Sequence, residues 1–357
     1  YVAAAALGQR PITMGQALAG GLRAGLLAAG VPVWLSTALT DLYVEGGRVA
    51  GVRATRNGEE LLLKARRGVI IGSGGFEHNE RMRKEFQREP IGVTWTVGAS
   101  TNTGDGIEAG TRAGATLDLM DDAWWGPAIP LPDGPYFCLA ERTLPGTMFV
   151  NGQGKRFVNE AAPYSDVVHV MYSKHTAANP HIPCWMIADQ NYRDRYLFKD
   201  IPPLAPLPQS WLDSGAVHRS PTIDDLARRI NVPAANLRNT LVRFNWLAFT
   251  GKDLDFKRGD SKYDEYFADP VQWPSPCLAS IDLPPYYAFK IVPGDLGTKG
   301  GMKTDTRSRV LRADGSTIPG LFAAGNASAA VMGRSYAGAG ATLGPALTFG
   351  YLAGMTI

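Results

Sequence analysis

The last part of the chain, residues 320–354, is the sequence feature that most constrains the fold. An apolar, strand-like run stops at Gly325, and a glycine-rich loop that contains a single Tyr336 follows it. A helix is then predicted from about Thr342, because Pro345 is well suited to a first helical turn. This order predicts that a strand end, a tyrosine-bearing loop and a helix N-terminus meet at one point.

The predicted helix would bring unpaired backbone N–H groups and a partial positive charge to that point. An anionic ring edge, such as the N1/O2 edge of a reduced flavin, is stabilised in such a position. Leu343 and Gly344 would then face the flavin. Glycine patterns also occur in ordinary loops before core helices, so this pattern alone leaves both interpretations open.

Two other glycine turns occur earlier in the chain. Ser73, Gly74 and Gly75 come directly after an apolar strand, and Asp105 stands between two glycines where a helix is predicted to begin. A glycine turn lets a ligand approach the backbone closely. Asp105 would either cap its helix or bind a ribitol or ribose hydroxyl. Three such sites favour a bound dinucleotide more than any one of them does.

Composition limits the class of protein. The chain has 357 residues, of which 45% are hydrophobic and 19% charged, with a net charge of +3 and no basic run. These values are typical of a globular protein and predict no nucleic-acid partner. No apolar run approaches the ~18 residues of a membrane span. Cys138, Cys184 and Cys277 fit no disulfide framework, so we expect a cytoplasmic protein, with peripheral membrane association left open.

The residue composition changes twice along the chain, and these changes predict two domains. Residues 1–128 and 299–357 are rich in glycine with helical and strand-like patterns, whereas residues 129–298 carry clustered aromatic residues and prolines. We predict one discontinuous α/β domain, interrupted by an aromatic-rich insertion. The elements predicted are a small-residue helix over 17–29 packed on a sheet, strands over 31–35 and 60–72, a hairpin over 42–54, and helices over 77–88, 105–115, 223–230 and 234–248.

Two tyrosines are candidates for chemistry. Tyr164 follows a proline among aromatic residues, but its ordinary pKa is near ~10, so it acts as a base only beside a group that stabilises phenolate. A packed core tyrosine is the simpler interpretation of Tyr164 by itself. Tyr336 has glycine neighbours that leave its phenol open to a ligand, and with the N–H of Gly340 it would form an oxyanion-type clamp on a ketone oxygen.

Other kinds of site have little support. His169 and His175 lie on one predicted helix but lack acidic or cysteine partners at metal-ligand spacing, so no metal site is predicted. The GxSxG motif of serine hydrolases, the Walker loop and a full GxGxxG motif are all missing from these 357 residues.

Taken together, these segments resemble one family, the FAD-dependent 3-ketosteroid Δ1-dehydrogenases, within the wider fumarate reductase/succinate dehydrogenase flavoprotein group. The resemblance runs from Thr13 to the end of the chain. The segments that carry it are AWWG at 123–126, FCLAER at 137–142, RFVNEAAPY at 156–164, VPGDLGTKGG at 292–301 and the closing stretch. It implies a Rossmann-like FAD-binding domain interrupted by an α+β catalytic domain that binds the steroid.

The resemblance also implies residue roles. The Tyr336 hydroxyl and the Gly340 N–H would bind the C3 ketone of a 3-ketosteroid such as androst-4-ene-3,17-dione and promote its enolisation. Tyr164 would take the proton from C2 and the flavin N5 the hydride from C1, giving a 1,4-dien-3-one. An electron acceptor, with a quinone as the candidate, would complete the cycle. The residues expected to contact FAD are Leu39, Ser73, Gly74, Gly75, Asp105, Gly325, Asn326, Leu343 and Gly344.

The sequence departs from the family in two places. The N-terminal βαβ unit with GxGxxG and the upstream tyrosine that assists the base are not in these 357 residues. We therefore expect the intact protein to carry that segment as the main site for the FAD pyrophosphate. Ala337 and Ala339 stand where the family often has prolines, which leaves the stiffness of the loop and the steroid preference open.

Three alternatives remain at this stage. A Δ4-3-ketosteroid dehydrogenase and a fumarate-reductase-like flavoprotein are the related enzymes. A dicarboxylate substrate requires arginine and histidine clamps, whereas the insertion offers aromatic residues, which argues against the second of these. A non-catalytic flavin- or steroid-binding fragment is the third alternative, and the departure at the N-terminal segment is its only support.

Overall fold

The structure is a computed structural model, and it describes residue 8 and residues 12–357. The helices are α1 (Met14–Ala28), α2 (Glu80–Phe86), α3 (Asp105–Arg112), α4 (Tyr164–Lys174), α5 (Gln190–Arg195), α6 (Gln209–Asp213), α7 (Ile223–Arg229), α8 (Ala234–Thr250) and α9 (Leu343–Thr356), with a short 3₁₀ helix at Gly325–Ala327.

The strands of the described residues fall into four sheets. They are β1 (Thr37–Glu45), β2 (Arg48–Arg56), β3 (Glu59–Lys64), β4 (Val69–Ile71), β5 (Leu117–Asp118), β6 (Ala123–Leu131), β7 (Gly134–Phe137), β8 (Thr147–Val150), β9 (Cys184–Ala188), β10 (Val217–Ser220), β11 (Tyr286–Thr298), β12 (Gly301–Met302), β13 (Arg309–Leu311) and β14 (Thr317–Ala323).

The largest sheet forms the centre of the insertion. Its order is β7-β6-β11-β9-β8, with β10 also paired to β11, and the pairings are antiparallel. Neighbouring residues on a strand point to opposite faces. Met186 therefore packs in a core with Val167 of α4, while Ile187 packs in another with Leu226 of α7 and Leu241 of α8. The sheet is thus covered by helices on both faces.

A smaller sheet carries the parallel pairing of the predicted α/β domain. Its order is β13-β14-β4, and β14 pairs parallel with β4. The core around it also includes Leu42 from the separate antiparallel sheet β1-β2-β3 and Ala109 from α3. The mixed helix and strand architecture confirms the predicted fold class. The division at 128 and 298 stays a prediction, and β6 runs across the first of these boundaries.

The first hairpin agrees with the sequence in position and in turn. Gly46 and Gly47 connect β1 to β2 with φ values of 58° and 78°. A two-residue turn of this kind requires positive φ at both positions, which glycine adopts without steric cost. The helices predicted over 223–230 and 234–248 correspond to α7 and α8 within two residues at each end.

Several predicted elements differ from the structure. Residues 31–35 form no strand; they are exposed, and Pro32 has no N–H to donate to a neighbouring strand. The strand predicted over 60–72 is two strands, β3 and β4, which belong to different sheets. The helix over 77–88 is only α2, because Asn79 caps it by accepting the Met82 N–H.

The small-residue helix α1 is found where predicted but does not pack on a sheet. Every described side chain from 15 to 28 is exposed, including Leu22 and Leu27 at 51% and 61%. The described part of the chain places no sheet against this helix. Its apolar stripe therefore belongs to none of the hydrophobic cores of the described residues.

Candidate functional site

Two strand ends meet at one edge of the smaller sheet. Because β4 and β14 are parallel, their carboxyl ends lie side by side, and the Ala324 N–H donates to the Ile71 carbonyl at 3.0 Å. The turn over 72–75 and the pair Gly325 and Asn326 therefore leave the sheet at neighbouring points. In open α/β sheets ligands bind outside this edge.

The two turn glycines are required by the protein's own side chains. A Cβ on Gly74, whose φ is +81°, would lie 2.4 Å from the Asn102 Oδ1, and one on Gly75 would lie 2.1 Å from the Thr298 Oγ1. The Phe76 N–H donates to the same Thr298 hydroxyl at 3.0 Å. Close approach at these glycines is therefore explained by side chains, and their contact with a cofactor stays a prediction.

Ser73 lies against the start of α3. A Cβ on Gly106 would be 2.3 Å from the Ser73 Oγ. Gly104 occupies the N-cap position in the left-handed conformation, and Asp105 is the first helical residue, where it accepts a hydrogen bond from the Thr103 hydroxyl at 2.8 Å. Asp105 is therefore not the N-cap residue, and its contact with a ribitol or ribose hydroxyl stays a prediction.

A cleft of about 250 Å³ opens beside the same edge, with mostly small residues in its wall. They include Gly325, Asn326, Ser328, Ala329, Ala330, Ala341, Thr342 and Pro345, with Trp124 and Phe349 as larger members. The Trp124 indole N–H donates to the Asn326 side-chain oxygen at 3.1 Å. Ligand pockets usually measure roughly 300–1,000 Å³, so this cleft suits a ring system rather than a whole dinucleotide.

Helix α9 begins at the rim of this cleft. Thr342 and Pro345 line the cleft, while Leu343 and Gly344 are exposed beside it. The first turn of α9 contains no acidic residue, and Thr342 makes no side-chain cap. The partial positive charge of the helix end is therefore not neutralised within the first turn.

Four aromatic rings connect the cleft to the insertion. Trp124 meets Tyr336 edge-on with ring centroids 6.4 Å apart, and Tyr336 lies 4.3 Å from Tyr164. Phe137 then meets Tyr164 edge-on at 5.2 Å. The structure thus brings together the two tyrosines that the sequence analysis singled out. In the chain, Tyr336 follows Tyr164 by 172 positions.

Tyr164 is the first residue of α4 and is only 6% exposed. Burial is the main cause that raises the pKa of its phenol, and the adjacent hydroxyl of Tyr336 raises it further. The positive charge of Arg142 acts in the opposite direction. In this arrangement the phenol is protonated at neutral pH, so its use as a base depends on a group that stabilises the phenolate.

The loop that carries Tyr336 is held from below by a buried lysine. Lys299 is fully buried, and its ammonium donates to the Ser335 carbonyl at 3.1 Å while it lies 3.3 Å from the Asp122 carboxylate. Within the described residues the N–H of Gly340 donates no hydrogen bond. That N–H therefore remains available to a ligand oxygen.

A buried carboxyl group supports the turn over 72–75. Glu77 is fully buried, and its oxygens accept the Asn102 side-chain N–H at 2.6 Å and the Thr298 N–H at 3.4 Å. Burial raises the pKa of Glu77, and the nearby Asp295 adds to this increase. The neutral acid is therefore favoured relative to an exposed glutamate.

This raised pKa gives a pH-dependent prediction. A carboxyl group whose pKa is higher in the folded state stabilises the fold below its unfolded pKa and loses this contribution as pH rises through the folded value. Replacing Glu77 by glutamine keeps the acceptor for Asn102 and removes the titration. We compare the thermal stability of Glu77→Gln with that of wild type at pH 5 and at pH 8. The stability of the variant relative to wild type should be higher at pH 8 than at pH 5.

The exposed Glu59 on β3 provides the control for the loss of one carboxylate, with Glu59→Gln measured under the same conditions. An equal difference at pH 5 and pH 8 for Glu77→Gln would contradict the assignment.

Leu39, which was predicted to contact FAD, and the two histidines weighed as metal ligands do not line the cleft. Leu39 is half-buried on β1 and packs against the core that includes α3, so its contact with FAD stays a prediction. His169 contacts the Asp122 carboxylate at 2.9 Å, and the His175 ring accepts the His181 N–H at 3.1 Å. Among the described residues, no group of three or more potential ligands gathers as a metal site requires.

Sequence reasoning missed the roles of several residues around the site. Trp124 and Arg142 belong to the segments 123–126 and 137–142, which carried the resemblance but received no role. Lys299 and Glu77 had no signal beyond being charged residues in apolar surroundings. All three cysteines are free and buried. No helix in the part of the chain that the structure describes is both long and apolar enough to cross a bilayer.

Comparison with known proteins identifies the family. The FAD binding domain family matches residues 1–343, so the chain belongs to it and FAD is its cofactor. The chain is 53% identical over 363 aligned residues to a 3-oxosteroid 1-dehydrogenase of Mycobacterium tuberculosis (strain ATCC 25618 / H37Rv), covering 99% of this chain and 64% of the relative.

Solved structures of related enzymes have a similar fold. The crystal structure of 3-ketosteroid Δ1-dehydrogenase from Sterolibacterium denitrificans in complex with 1,4-androstadiene-3,17-dione matches with a TM-score of 0.93 and 43% identity, covering 96% of this chain and 63% of that one. A 3-ketosteroid-Δ4-(5α)-dehydrogenase from Rhodococcus jostii RHA1 matches with a TM-score of 0.65 and 25% identity, covering 90% and 59%. The chain thus spans less than two thirds of the length of each of these three relatives.

Proposed function

We propose that this protein is an FAD-dependent oxidoreductase that introduces the 1,2 double bond into 3-ketosteroids in steroid degradation. The observation that carries the proposal is the pairing of Tyr164 and Tyr336, whose ring centroids are 4.3 Å apart, with Tyr336 in contact with Trp124 of the cleft wall. The 3-oxosteroid 1-dehydrogenase of M. tuberculosis and the steroid-bound enzyme of S. denitrificans support the same reaction by their similarity.

The residues around the cleft fit the ring end of FAD. Small side chains such as Ala329 and Ala341 leave a slot, and Trp124 holds the Asn326 amide in one orientation. The N-terminus of α9 has no acidic residue in its first turn, so its positive end can stabilise a negative ring edge. When bound there, FAD would supply the acceptor for the hydride that leaves C1.

The ketone oxygen would bind to two donors on one loop. The Tyr336 hydroxyl and the free Gly340 N–H would both donate to the C3 oxygen. Negative charge develops on this oxygen as C2 loses its proton, so donors aimed at it stabilise the transition state more than the ground state. The contact of Lys299 with the Ser335 carbonyl keeps the loop in position for these two hydrogen bonds to the ketone.

Tyr164 would complete the reaction as the base. A proton would pass from C2 to its phenolate oxygen, a hydride would leave C1, and the two remaining electrons would form the C1–C2 double bond. A ketone clamp that acidifies the C2–H bond makes a weak base such as phenolate sufficient. Phe137 and Trp124 add flat apolar surface that suits a steroid ring system. A quinone is the candidate for the final electron acceptor.

Anaerobic mixing of the FAD-loaded protein with androst-4-ene-3,17-dione tests this function. We expect the visible flavin absorbance to bleach, because C1 hydride transfer reduces the flavin in the absence of oxygen. Persistence of the band with the flavin intact would overturn the proposal.

A second steroid separates the related activities. With 5α-androstane-3,17-dione, 1,2-desaturation gives a 1-ene product, whereas the Δ4 alternative gives a 4-ene product, and mass spectrometry with NMR distinguishes them. If the steroid does not bleach the flavin and fumarate instead restores the absorbance of the reduced flavin, the fumarate-reductase alternative is favoured.

A further inference from the structure

A buried arginine lies beneath the start of α4 and takes no part in the ketone binding, proton transfer and hydride transfer proposed at the cleft. Arg142 is 1% exposed. Its Nη1 donates to the Ala162 carbonyl at 2.9 Å and to the Glu160 carbonyl, while its Nε is buried without a partner. Within the described residues no carboxylate lies within ion-pair distance of this guanidinium. Arg142 is thus a buried cation held only by neutral oxygens.

A buried charge without a counter-ion is costly and is usually paired or neutralised. The nearby carboxylate of Glu160 does not serve as its partner, since that group pairs with Arg156 and Arg258. The Arg142 pKa is lowered, chiefly by burial, although the side chain remains a strong enough base to stay charged. The fold therefore maintains a positive charge at a place where no permanent anion offsets it.

The position of this charge relates it to Tyr164. Ala162, whose carbonyl binds Arg142, is two residues before Tyr164, and Tyr164 opens α4. Side chains at a helix start lean back toward the N-terminus, where the helix dipole also favours negative charge. Arg142 lowers the pKa of Tyr164, and Tyr164 reciprocally raises that of Arg142.

We propose that Arg142 is a positioning residue whose unpaired positive charge stabilises the phenolate form of Tyr164. This inference rests on the proposed function, because it assigns the group that makes the Tyr164 base competent. The ketone of the substrate would engage the Tyr336 hydroxyl and so remove one of the contacts that favour the protonated phenol. Arg142 then supplies the counter-charge when Tyr164 becomes an anion.

The other titratable groups around Tyr164 do not take this role. Tyr336 and Tyr263 raise the pKa of Tyr164, and Asp166 is an exposed carboxylate one residue beyond Ser165 on α4. The groups that face Arg142 are the buried thiol of Cys138, the guanidinium of Arg258 and the phenols of Tyr164 and Tyr263. Arg142 is a cation that acts on the Tyr164 pKa in the opposite direction to Tyr336 and Tyr263.

Exchange of the C2 hydrogens isolates the proton step. The FAD-loaded protein is first reduced with dithionite so that hydride transfer is blocked, and androst-4-ene-3,17-dione is then incubated with it in D₂O across pH 6–10. Deuterium incorporation at C2 is followed by mass spectrometry. Loss of the Arg142 charge by Arg142→Met should move the acid limb of exchange upward by about 1–3 pH units, a fall of roughly 10- to 1,000-fold at neutral pH.

Arg142→Lys keeps the charge and should recover most of the exchange rate. Arg193 provides the matched control, because it is also a buried arginine held by carbonyl oxygens, those of Tyr196 and Ala205, in another part of the insertion. Arg193→Met should lose stability without moving the acid limb. A folded Arg142→Met protein with the wild-type pH profile would overturn the inference.

A second variant keeps the test decisive if Arg142→Met fails to fold. Arg142→Gln removes the charge but keeps an amide donor for the Ala162 carbonyl, and it should move the acid limb of exchange upward in the same way. A folded Arg142→Gln protein with the wild-type pH profile would contradict the role of Arg142. If the wild type itself neither exchanges C2 hydrogens nor bleaches with substrate, the proposed function fails instead.

Discussion

Replacing Tyr164 by phenylalanine is expected to abolish measurable exchange of the C2 hydrogens. The phenol is the base in the proposed reaction, and it lies 4.3 Å, centroid to centroid, from the ring of Tyr336. A positioned general base contributes about 10²–10⁴-fold, so both exchange and flavin reduction should fall by a factor of this order. Exchange is measured in D₂O with androst-4-ene-3,17-dione, and flavin reduction by anaerobic stopped flow.

Tyr172 is the matched control for this change. It lies on the same helix α4, is 9% exposed, and donates its hydroxyl to the Pro90 carbonyl at 3.1 Å. Tyr172→Phe should lose about 1 kcal/mol of folding stability, the net value of one hydrogen bond, and retain C2 exchange. Near-normal exchange in Tyr164→Phe would remove Tyr164 from the mechanism.

Tyr336→Phe is expected to slow turnover by about 10²–10³-fold while FAD remains bound. Loss of one donor to a developing oxyanion has an effect of this size. The phenol acts on the ketone rather than on the cofactor, so the ratio of protein to flavin absorbance should stay at the wild-type value. Steady-state turnover and that ratio are measured on the same preparation.

The spectrum of a bound dienone separates the roles of the two tyrosines. A hydrogen bond to the C3 oxygen shifts the ultraviolet band of 1,4-androstadiene-3,17-dione to longer wavelength. The shift should decrease in Tyr336→Phe, which keeps only the Gly340 N–H as donor, and stay at the wild-type value in Tyr164→Phe; the exposed Tyr266 provides an inert control at 76% exposure. Wild-type turnover in Tyr336→Phe would show that the ketone binds elsewhere.

Local signals in the sequence were sufficient for the elements with a clear chemical signature. The hairpin glycines Gly46 and Gly47 and the strand, loop and helix at the end of the chain are found where predicted. The prediction over 31–35 was wrong because an apolar run forms a strand only where a neighbour accepts its hydrogen bonds. Helix α1 likewise has a recognisable pattern, but the pattern carries no information on what the helix contacts.

Charged residues of the site were the least predictable. Arg142 and Glu77 are ordinary charged residues in the sequence, and only folding removes them from water and leaves one without a counter-ion and the other with a raised pKa. Desolvation depends on every atom within several ångströms, most of which come from distant parts of the chain. No spacing rule contains that information.

The sequence by itself determined that a glycine-bounded tyrosine stands before a helix N-terminus, since glycine, proline and apolar periodicity act over a few residues. It also determined the family, because several short segments agree at once. Only the tertiary structure decided that Tyr164 from the insertion meets Tyr336 from the closing stretch, and that Arg142 lies beneath the start of α4. The pairing of β11 with β6 and the parallel pairing of β14 with β4 also join distant parts of the chain, and such long-range pairings have no local code.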